Sequence, residues 1–445
     1  MTRDTIFALS SGAGLAGVAV VRISGPNADP LLSALGVAPL PDPRNAALQH
    51  IGRGDDGEPI DQALVLRFPA PGSFTGEDVA ELHVHGGAAV LEALFAAIYD
   101  TGLGRLAEPG EFTRRAFENG KLDLTAAEGL GDLVAARTDA QRRLALRQYD
   151  GSLSDLYEGW RARLVGLMGY TEVEIDFSDE ELPDGLSDRT RRDIAAVYKE
   201  IIQHVVGSER GEHIRTGFPI VILGAPNVGK STLLNCLAKR DAAIVSETAG
   251  TTRDVIEGQM NLGGFAVTLT DTAGIRDATD AVETEGVRRA EARARDAALK
   301  LVVLDASAAE VPEPVRALID DDTLIVANKA DLLSGPYEAP TVLGDGEVHG
   351  VSAVNGDGLE GLMARLADMV RERLSGAEGP LPTRQRHQDA LNTAAEALAR
   401  VEAAAYPELA AEDVRMALGA LGRITGRVDI DEVLDTVFQD FCIGK

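Results

Sequence analysis

At 445 residues, with 45% hydrophobic and 26% charged residues, the chain has the length of two to four ordinary globular domains. A net charge of −28, from 43 basic and 71 acidic residues, argues against a general nucleic-acid coat, so any RNA contact must be local or shared with a partner protein. No apolar run approaches the roughly 20 residues that cross a bilayer, and Met1-Thr2-Arg3-Asp4 leads straight into a strand-like run, not a signal peptide. Two cysteines give no disulfide framework, and the expected address is the cytoplasm, with no membrane contact.

Residues 1–119 read as a small α/β domain. Segments 5–9 and 17–23 look like strands joined by a glycine-bearing turn at 10–14, and 63–68 is another strand. In 79–85, Leu82 and Val84 alternate with Glu81, His83 and His85, which puts the three polar groups on one sheet face. That trio suggests metal, but no further ligand set with metal spacing follows. A polar sheet face lining a small-molecule pocket is the preferred reading. Residues 88–99 have helical spacing.

From Lys121 the pattern turns helical and stays so through 120–213. Thr125 with Glu128 fits a capping box. Arg137, Arg142, Arg143 and Arg147 form a basic segment, read as a solvated helix face ahead of an RNA contact. Helical stretches at 153–175 and 189–206 flank an acidic loop. Residues 214–376 then alternate strands, at 220–223, 265–270, 300–304, 324–327 and 347–351, with helices, which implies a largely parallel sheet covered on both faces. After a Gly/Pro-bearing linker at 375–382, residues 377–445 are helical again. The fold class is therefore α/β plus all-α, with the α/β nucleotide-type domain inserted into a helical one.

The chemistry is concentrated in that insert. Gly224-Ala225-Pro226-Asn227-Val228-Gly229-Lys230-Ser231 follows an apolar run and precedes a helical pattern opening at Thr232. Strand, glycine-rich turn and helix start are the setting of a phosphate-binding loop; the plain alternative is a glycine turn. Backbone N–H groups close around phosphate oxygens there, and the helix N-terminus adds positive potential. Lys230 is expected on the β- and γ-phosphates and Ser231 on Mg²⁺. Downstream come Gly250-Thr251-Thr252, Asp271-Thr272-Ala273-Gly274, Asn328-Lys329-Ala330-Asp331 and Ser352-Ala353-Val354. The Asp331 carboxylate suits the N1–H and exocyclic amine of guanine, a donor pair that adenine lacks. Asn328 is expected at the base edge, Lys329 along the base plane, and 352–354 as backbone to the base. Thr252 completes the Mg²⁺ shell with Ser231, and Asp271 holds the metal through water. These ordered motifs predict GTP binding.

Hydrolysis is less routine, because Ile275 stands where Ras-like enzymes carry a water-orienting Gln. Another residue, a partner or an ion must take that part. Asn227 either offers its carbonyl to a monovalent cation beside the phosphates or makes a local turn hydrogen bond.

Outside the nucleotide motifs the chain carries Val21-Arg22-Ile23-Ser24-Gly25, Phe74-Thr75-Gly76-Glu77-Asp78, Pro109-Gly110-Glu111-Phe112-Thr113, Lys121-Leu122-Asp123-Leu124 and, at its end, Phe441-Cys442-Ile443-Gly444-Lys445. With these it resembles, along essentially its whole length, the MnmE (TrmE) family of tRNA-modification GTPases. The ending is the most specific sign, since P-loop GTPases in general have nothing like it. The resemblance implies an N-terminal α/β folate-binding domain (1–119), a discontinuous helical domain (120–213 and 377–445) and an inserted Ras-like P-loop GTPase domain (214–376). It also implies a homodimer and a K⁺-activated GTP hydrolase. With the flavoprotein MnmG, that enzyme adds an aminomethyl or carboxymethylaminomethyl group to C5 of tRNA wobble uridine. The one-carbon unit comes from 5-formyl- or methylene-tetrahydrofolate.

Matching folate positions are Arg22, Glu81, Lys121 and Lys445; Arg and Lys suit an anionic folate tail and Glu81 the donors of a pterin. Matching K⁺ positions are Asn227, Ser246, Thr248 and Thr251, with Glu247, Ala249 and Gly250 in the same nucleotide-facing loop. Glu283 matches the hydrolytic glutamate of the second switch. Cys442 is either a buried structural thiol or a participant in the modification reaction, whereas Cys236 reads as core. The alternative of another class is a regulatory GTP switch on RNA or the ribosome. It predicts a basic RNA-binding appendage, and no Gly-x-x-Gly loop in a basic context is convincing here.

Overall fold

A computed structural model describes residues 4–53, 58–176, 186–240, 257–271, 297–308, 313–317, 319–333, 347–376, 379–404 and 406–428, and then 434, 437–438, 441 and 444. Within these, the side chains of 170–176, 186–188, 239–240, 257–258, 271, 314 and 402 lie outside the description. The chain divides into two compact units, one of residues 1–131, 149–169 and 411–445, the other of 132–148 and 170–410.

The first unit is built on strands β1 (Ile6–Leu9), β2 (Ala16–Ser24), β3 (Ala47–Gly52), β4 (Pro59–Phe68), β5 (Val79–Gly86) and β6 (Arg105–Leu106), in the order β3-β4-β5-β2-β1-β6. Pairing is antiparallel except for the parallel β1–β6 contact. Alternation sends Val21, Ile23, Val65, Leu82 and Val84 into a core with Leu31, Leu32, Leu94 and Ile98 of helices Ala28–Ala34 and Ala88–Thr101. Each fully buried Leu or Ile there contributes about 1.5–3 kcal/mol. The same period leaves Arg22, Glu81 and His83 on the opposite, half-buried face. Strands β1, β2 and β5 lie where the sequence predicts them, while β4 begins at Pro59, ahead of the expected 63–68. Strands β3 and β6 escape sequence reading: β3 is an edge strand with Leu48 exposed, and β6 has two residues.

One expectation is corrected here. Helix Leu124–Ala135 is capped by Asp123, whose Oδ1 accepts the Ala126 N–H and the Thr125 hydroxyl, both at 2.8 Å. Thr125 and Glu128 sit inside the helix and are buried, so they form no capping box. The end of the chain returns to this unit. Leu434 and Phe438 cluster with Leu124 and Ala127, and the Phe438 ring centroid stands 5.7 Å from that of Phe441. Gly444 passes so close to β1 that a Cβ would lie 2.0 Å from the Leu9 carbonyl, and its own carbonyl accepts the Ser10 hydroxyl at 2.8 Å.

The second unit holds β7 (Phe218–Leu223), β8 (Glu257–Leu262), β9 (Phe265–Asp271), β10 (Leu299–Asp305), β11 (Thr323–Asn328) and β12 (Val348–Gly350). Their order is β12-β11-β10-β7-β9-β8, parallel throughout except for the β8–β9 hairpin. Helices Lys230–Arg240 and Leu359–Leu374 cover one face through Leu233, Leu237, Leu362 and Leu366, while Val221, Val302 and Ile325 pack on the other with Val315. Burial on both faces explains the near-continuous apolar runs of β7, β10 and β11. Leu144, on helix Asp139–Tyr149, joins the first of these clusters. Helices Leu186–Val206 and Gln385–Ala403, one on each side of the sheet in sequence, pack against each other. No helix among the described residues is long and apolar enough to cross a membrane.

Candidate nucleotide site and a second polar face

In a parallel α/β sheet, ligand sites form beyond the carboxyl ends of the strands, because that edge is where successive loops converge. Here β7 runs into the glycine-rich loop, β9 ends at Asp271, β10 at Asp305 and β11 at Asn328, and β12 leads to Ser352. The strand order sets the phosphate loop between Asp271 on one side and the Asn-Lys-Ala-Asp and Ser-Ala-Val turns on the other. Asp271 is in register with Ile222, beside the loop.

The loop is closed by its own residues. Asn227 takes a left-handed conformation, φ 65°. Lys230 opens the helix, is 7% exposed, and donates to the carbonyls of Gly224 and Ala225 at 2.9 Å each. That holds the ammonium over the loop, next to the N-terminal N–H groups of helix Lys230–Arg240, where a phosphate is favoured. Ser231 and Thr232 follow in the first helical turn. Gly229 has φ 95°, and a Cβ on it would lie 2.3 Å from Asn328 Nδ2. A Cβ on Gly224 would likewise lie 2.3 Å from the Val303 carbonyl, so neither glycine position has room for a side chain.

Asn328, expected at the base edge, has a structural part that the sequence does not show. It is 3% exposed, donates through Nδ2 to the Val228 carbonyl at 2.8 Å, and accepts the Ala353 N–H on Oδ1 at 3.0 Å. Its amide is a brace between the phosphate loop and the 352–354 turn. Ala330 N–H donates to the Val351 carbonyl at 3.0 Å, which stitches the Asn-Lys-Ala-Asp turn to the segment leading into 352–354. Asp331 is exposed and has no side-chain partner among the described residues, so its carboxylate is available to a base. Ser352 is fully buried, with its hydroxyl accepting the Asn355 N–H, while Val354 is 82% exposed.

Two residues here were not legible as site residues. Asp305 accepts the Lys329 ammonium on Oδ2 at 2.6 Å. Burial works against its charge, but Lys329 and the Ser307 hydroxyl and N–H outweigh it and hold the carboxyl below the usual range. The Cys236 thiol, half-buried, donates to the Ala353 carbonyl at 2.9 Å, which ties the helix after the phosphate loop to the base-side turn. The only sequence sign of Asp305 is its place at the end of an apolar strand run. Ser246, Glu247, Thr248, Ala249, Gly250, Thr251, Thr252, Thr272, Ala273, Gly274 and Glu283 lie outside the described residues, as do Cys442 and Lys445.

On the first unit's sheet, Arg22 of β2 stands directly opposite Glu81 of β5. Arg22 donates Nε and Nη2 to Glu81 Oε1 at 3.1 and 3.0 Å, and its guanidinium lies 5.3 Å from the Phe74 ring centroid. His83 Nε2 is 3.4 Å from Glu81 Oε2, whereas His85 turns away to Asp61 at 2.8 Å. Lys121 donates to the Pro71 carbonyl at 3.0 Å. The 71–78 loop therefore links Lys121 to the Arg22–Glu81 pair through Phe74.

The family profile described as "GTP-binding protein TrmE N-terminus" matches residues 5–121, and "MnmE helical domain" matches 124–442. The tRNA modification GTPase MnmE of Paramagnetospirillum magneticum is 52% identical over 443 residues, covering 99% of this chain and 100% of that protein. Those of Maricaulis maris and Rhodospirillum rubrum are 50% and 49% identical over 99% and 100% of this chain, and 99% and 100% of their own lengths. A solved FeoB G domain from Methanococcus jannaschii aligns with 35% of this chain and 98% of its own at 23% identity, with a TM-score of 0.27. On full-length identity and both profiles, the chain belongs to the MnmE family of tRNA modification GTPases.

Proposed function

We propose that the chain is a GTP hydrolase that acts in tRNA modification at C5 of the wobble uridine. The observation that carries it is the convergence of the phosphate loop, the Asn-Lys-Ala-Asp turn and the Ser-Ala-Val turn at one sheet edge, tied together by the Asn328 amide. Lys230 and the helix N-terminus hold the phosphates, Asp331 selects guanine, and Ser231 with Thr252 and Asp271 would hold Mg²⁺, which screens the phosphate charge when bound. Asn227, Ser246, Thr248 and Thr251 would hold K⁺, and Glu283 would orient water in place of the missing Gln. The left-handed Asn227 supports this by turning its backbone within the phosphate loop.

On the antiparallel sheet, Arg22, Glu81, Lys121 and Lys445 would bind a formyl- or methylene-tetrahydrofolate, the one-carbon donor. The cross-strand pair supports this, because it offers both an anion-binding guanidinium and an acceptor for pterin donors. In this reading a homodimer works with the MnmG flavoprotein on tRNA, and GTP hydrolysis drives rearrangement of an inserted GTPase domain. The packing of helices Leu186–Val206 and Gln385–Ala403 supports the insertion.

Mass spectrometry of tRNA nucleosides from cells lacking the protein tests it. Loss of the C5-modified wobble uridine, restored by wild type, is expected; restoration failing with folded Cys442→Ser would give that thiol a part in the chemistry. Unchanged nucleosides in the deletion would leave a GTP switch without modification chemistry.

A further inference from the structure

Asp305 and Lys329 occupy neighbouring strand ends, and the sheet fixes both backbones. Asp305 is in parallel register with Asn328, and the Ala306 N–H donates to the Asn328 carbonyl at 2.7 Å. The carboxylate is held from two sides. Its Oδ1 accepts the Ser307 N–H at 3.0 Å and the Ser307 hydroxyl at 2.6 Å, leaving Oδ2 for the Lys329 ammonium at 2.6 Å. Lys329 itself has φ 69°, a conformation that lysine rarely adopts, and it opens the short 3₁₀ turn Ala330–Leu332 that carries Asp331. A long side chain on a strained backbone needs something to set its direction. Here that something is Asp305, half-buried with it.

We infer that Asp305 is a positioning residue for the nucleoside: it draws the Lys329 stem along the base plane and so preorganises the turn that presents Asp331. The inference rests on the guanine-nucleotide reading of this edge. Asp305 touches Lys329 and not the ligand, so it must act through the lysine.

The test uses the full chain and fluorescent GDP, with inorganic tripolyphosphate as a probe of the phosphate loop alone. Asp305→Asn should weaken GDP binding about ten-fold, the scale of losing a half-buried charge-assisted hydrogen bond, while tripolyphosphate binding stays within about two-fold. Asp305→Glu, which keeps the charge, should restore part of the affinity. Adding Asp305→Asn to Lys329→Ala should cost nothing further. Wild-type-like GDP binding by Asp305→Asn would overturn the inference, as would losses that add in the double variant or fall equally on tripolyphosphate, which would mark a merely structural role. Failure of the wild-type chain to bind GDP would instead overturn the nucleotide reading itself.

Discussion

The loop edge of the parallel sheet and the polar face of the antiparallel sheet both gather charged side chains, yet they hold them differently. At the loop edge the buried polar side chains of Asn328 and Ser352 are each satisfied by the backbone, while Asp331 is left exposed. On the antiparallel face the groups matched to a ligand, Arg22 and Glu81, are bonded to each other. A ligand would meet a vacant acceptor at the first site, but at the second it would have to share or replace an existing ion pair. Removing one partner there also leaves a half-buried charge behind, which costs stability as well as binding. Preorganisation by braces and by self-pairing thus carry different penalties when broken.

The largest effect separating the two is expected from Lys230→Ala. GTP hydrolysis should fall by about 10²- to 10³-fold, the scale of losing one preorganised charge at a transferring phosphoryl group. Phosphate release and a melting curve check it; a large drop in melting temperature would erase the contrast with the other sheet.

Next comes acid. Burial, and then the neighbouring His387, push the His204 imidazole down from 6.5 to about 4. The folded second unit keeps it neutral while the unfolded chain protonates it below 6.5. Its contribution is therefore fully present above that pH and is lost as pH falls toward 4, by up to about 3 kcal/mol. In the first unit Glu111 behaves otherwise. Burial raises its pKa, but Arg105, the Glu108 N–H and Arg115 outweigh that and hold it below 4.5. Its contribution survives until the pH falls through that lower range. Helical circular dichroism should accordingly decline between pH 6.5 and 4 before the fluorescence of Trp160, the sole tryptophan and a residue of the first unit, responds. Coincident transitions would show the units failing together.

The smallest effect is expected from Glu81→Gln. Folate binding should weaken about ten-fold, with a loss of about 1–2 kcal/mol in stability, measured by calorimetry and chemical denaturation. Weaker binding at unchanged stability would mean that the Arg22 charge finds another partner, and the two sites would then differ less than their geometry says.

Much of the loop edge was legible because its residue types are dictated by the backbone. Only glycine fits at 229, so the loop announces itself in the sequence. What was not legible depends on which strands are neighbours. The Asn328 amide turns to Val228 and Ala353, and Asp305 to Lys329, because β10 and β11 end level with each other, a register that no local pattern encodes. Local chemistry also misled by two residues at the helix opening at Leu124. Asp123 and Thr125 are both good caps, and the sequence does not say which one lies outside the helix. On the antiparallel sheet, period two put Glu81 on the polar face, but that Arg22 faces it across the strands needed the pairing.

The passage of Gly444 along Leu9 bears on how the chain is made. Synthesis delivers β1 first and residue 444 hundreds of positions later, so the Ser10 hydroxyl cannot reach the Gly444 carbonyl until that residue has been added. Until residues 434 and 438 have been made, the apolar surfaces of Leu124 and Ala127 that Leu434 and Phe438 cover stay open. A prematurely stopped product keeps them open for good. A chain stopped before residue 434 would therefore carry apolar surface open to chaperones and proteases, however well its parallel sheet had folded.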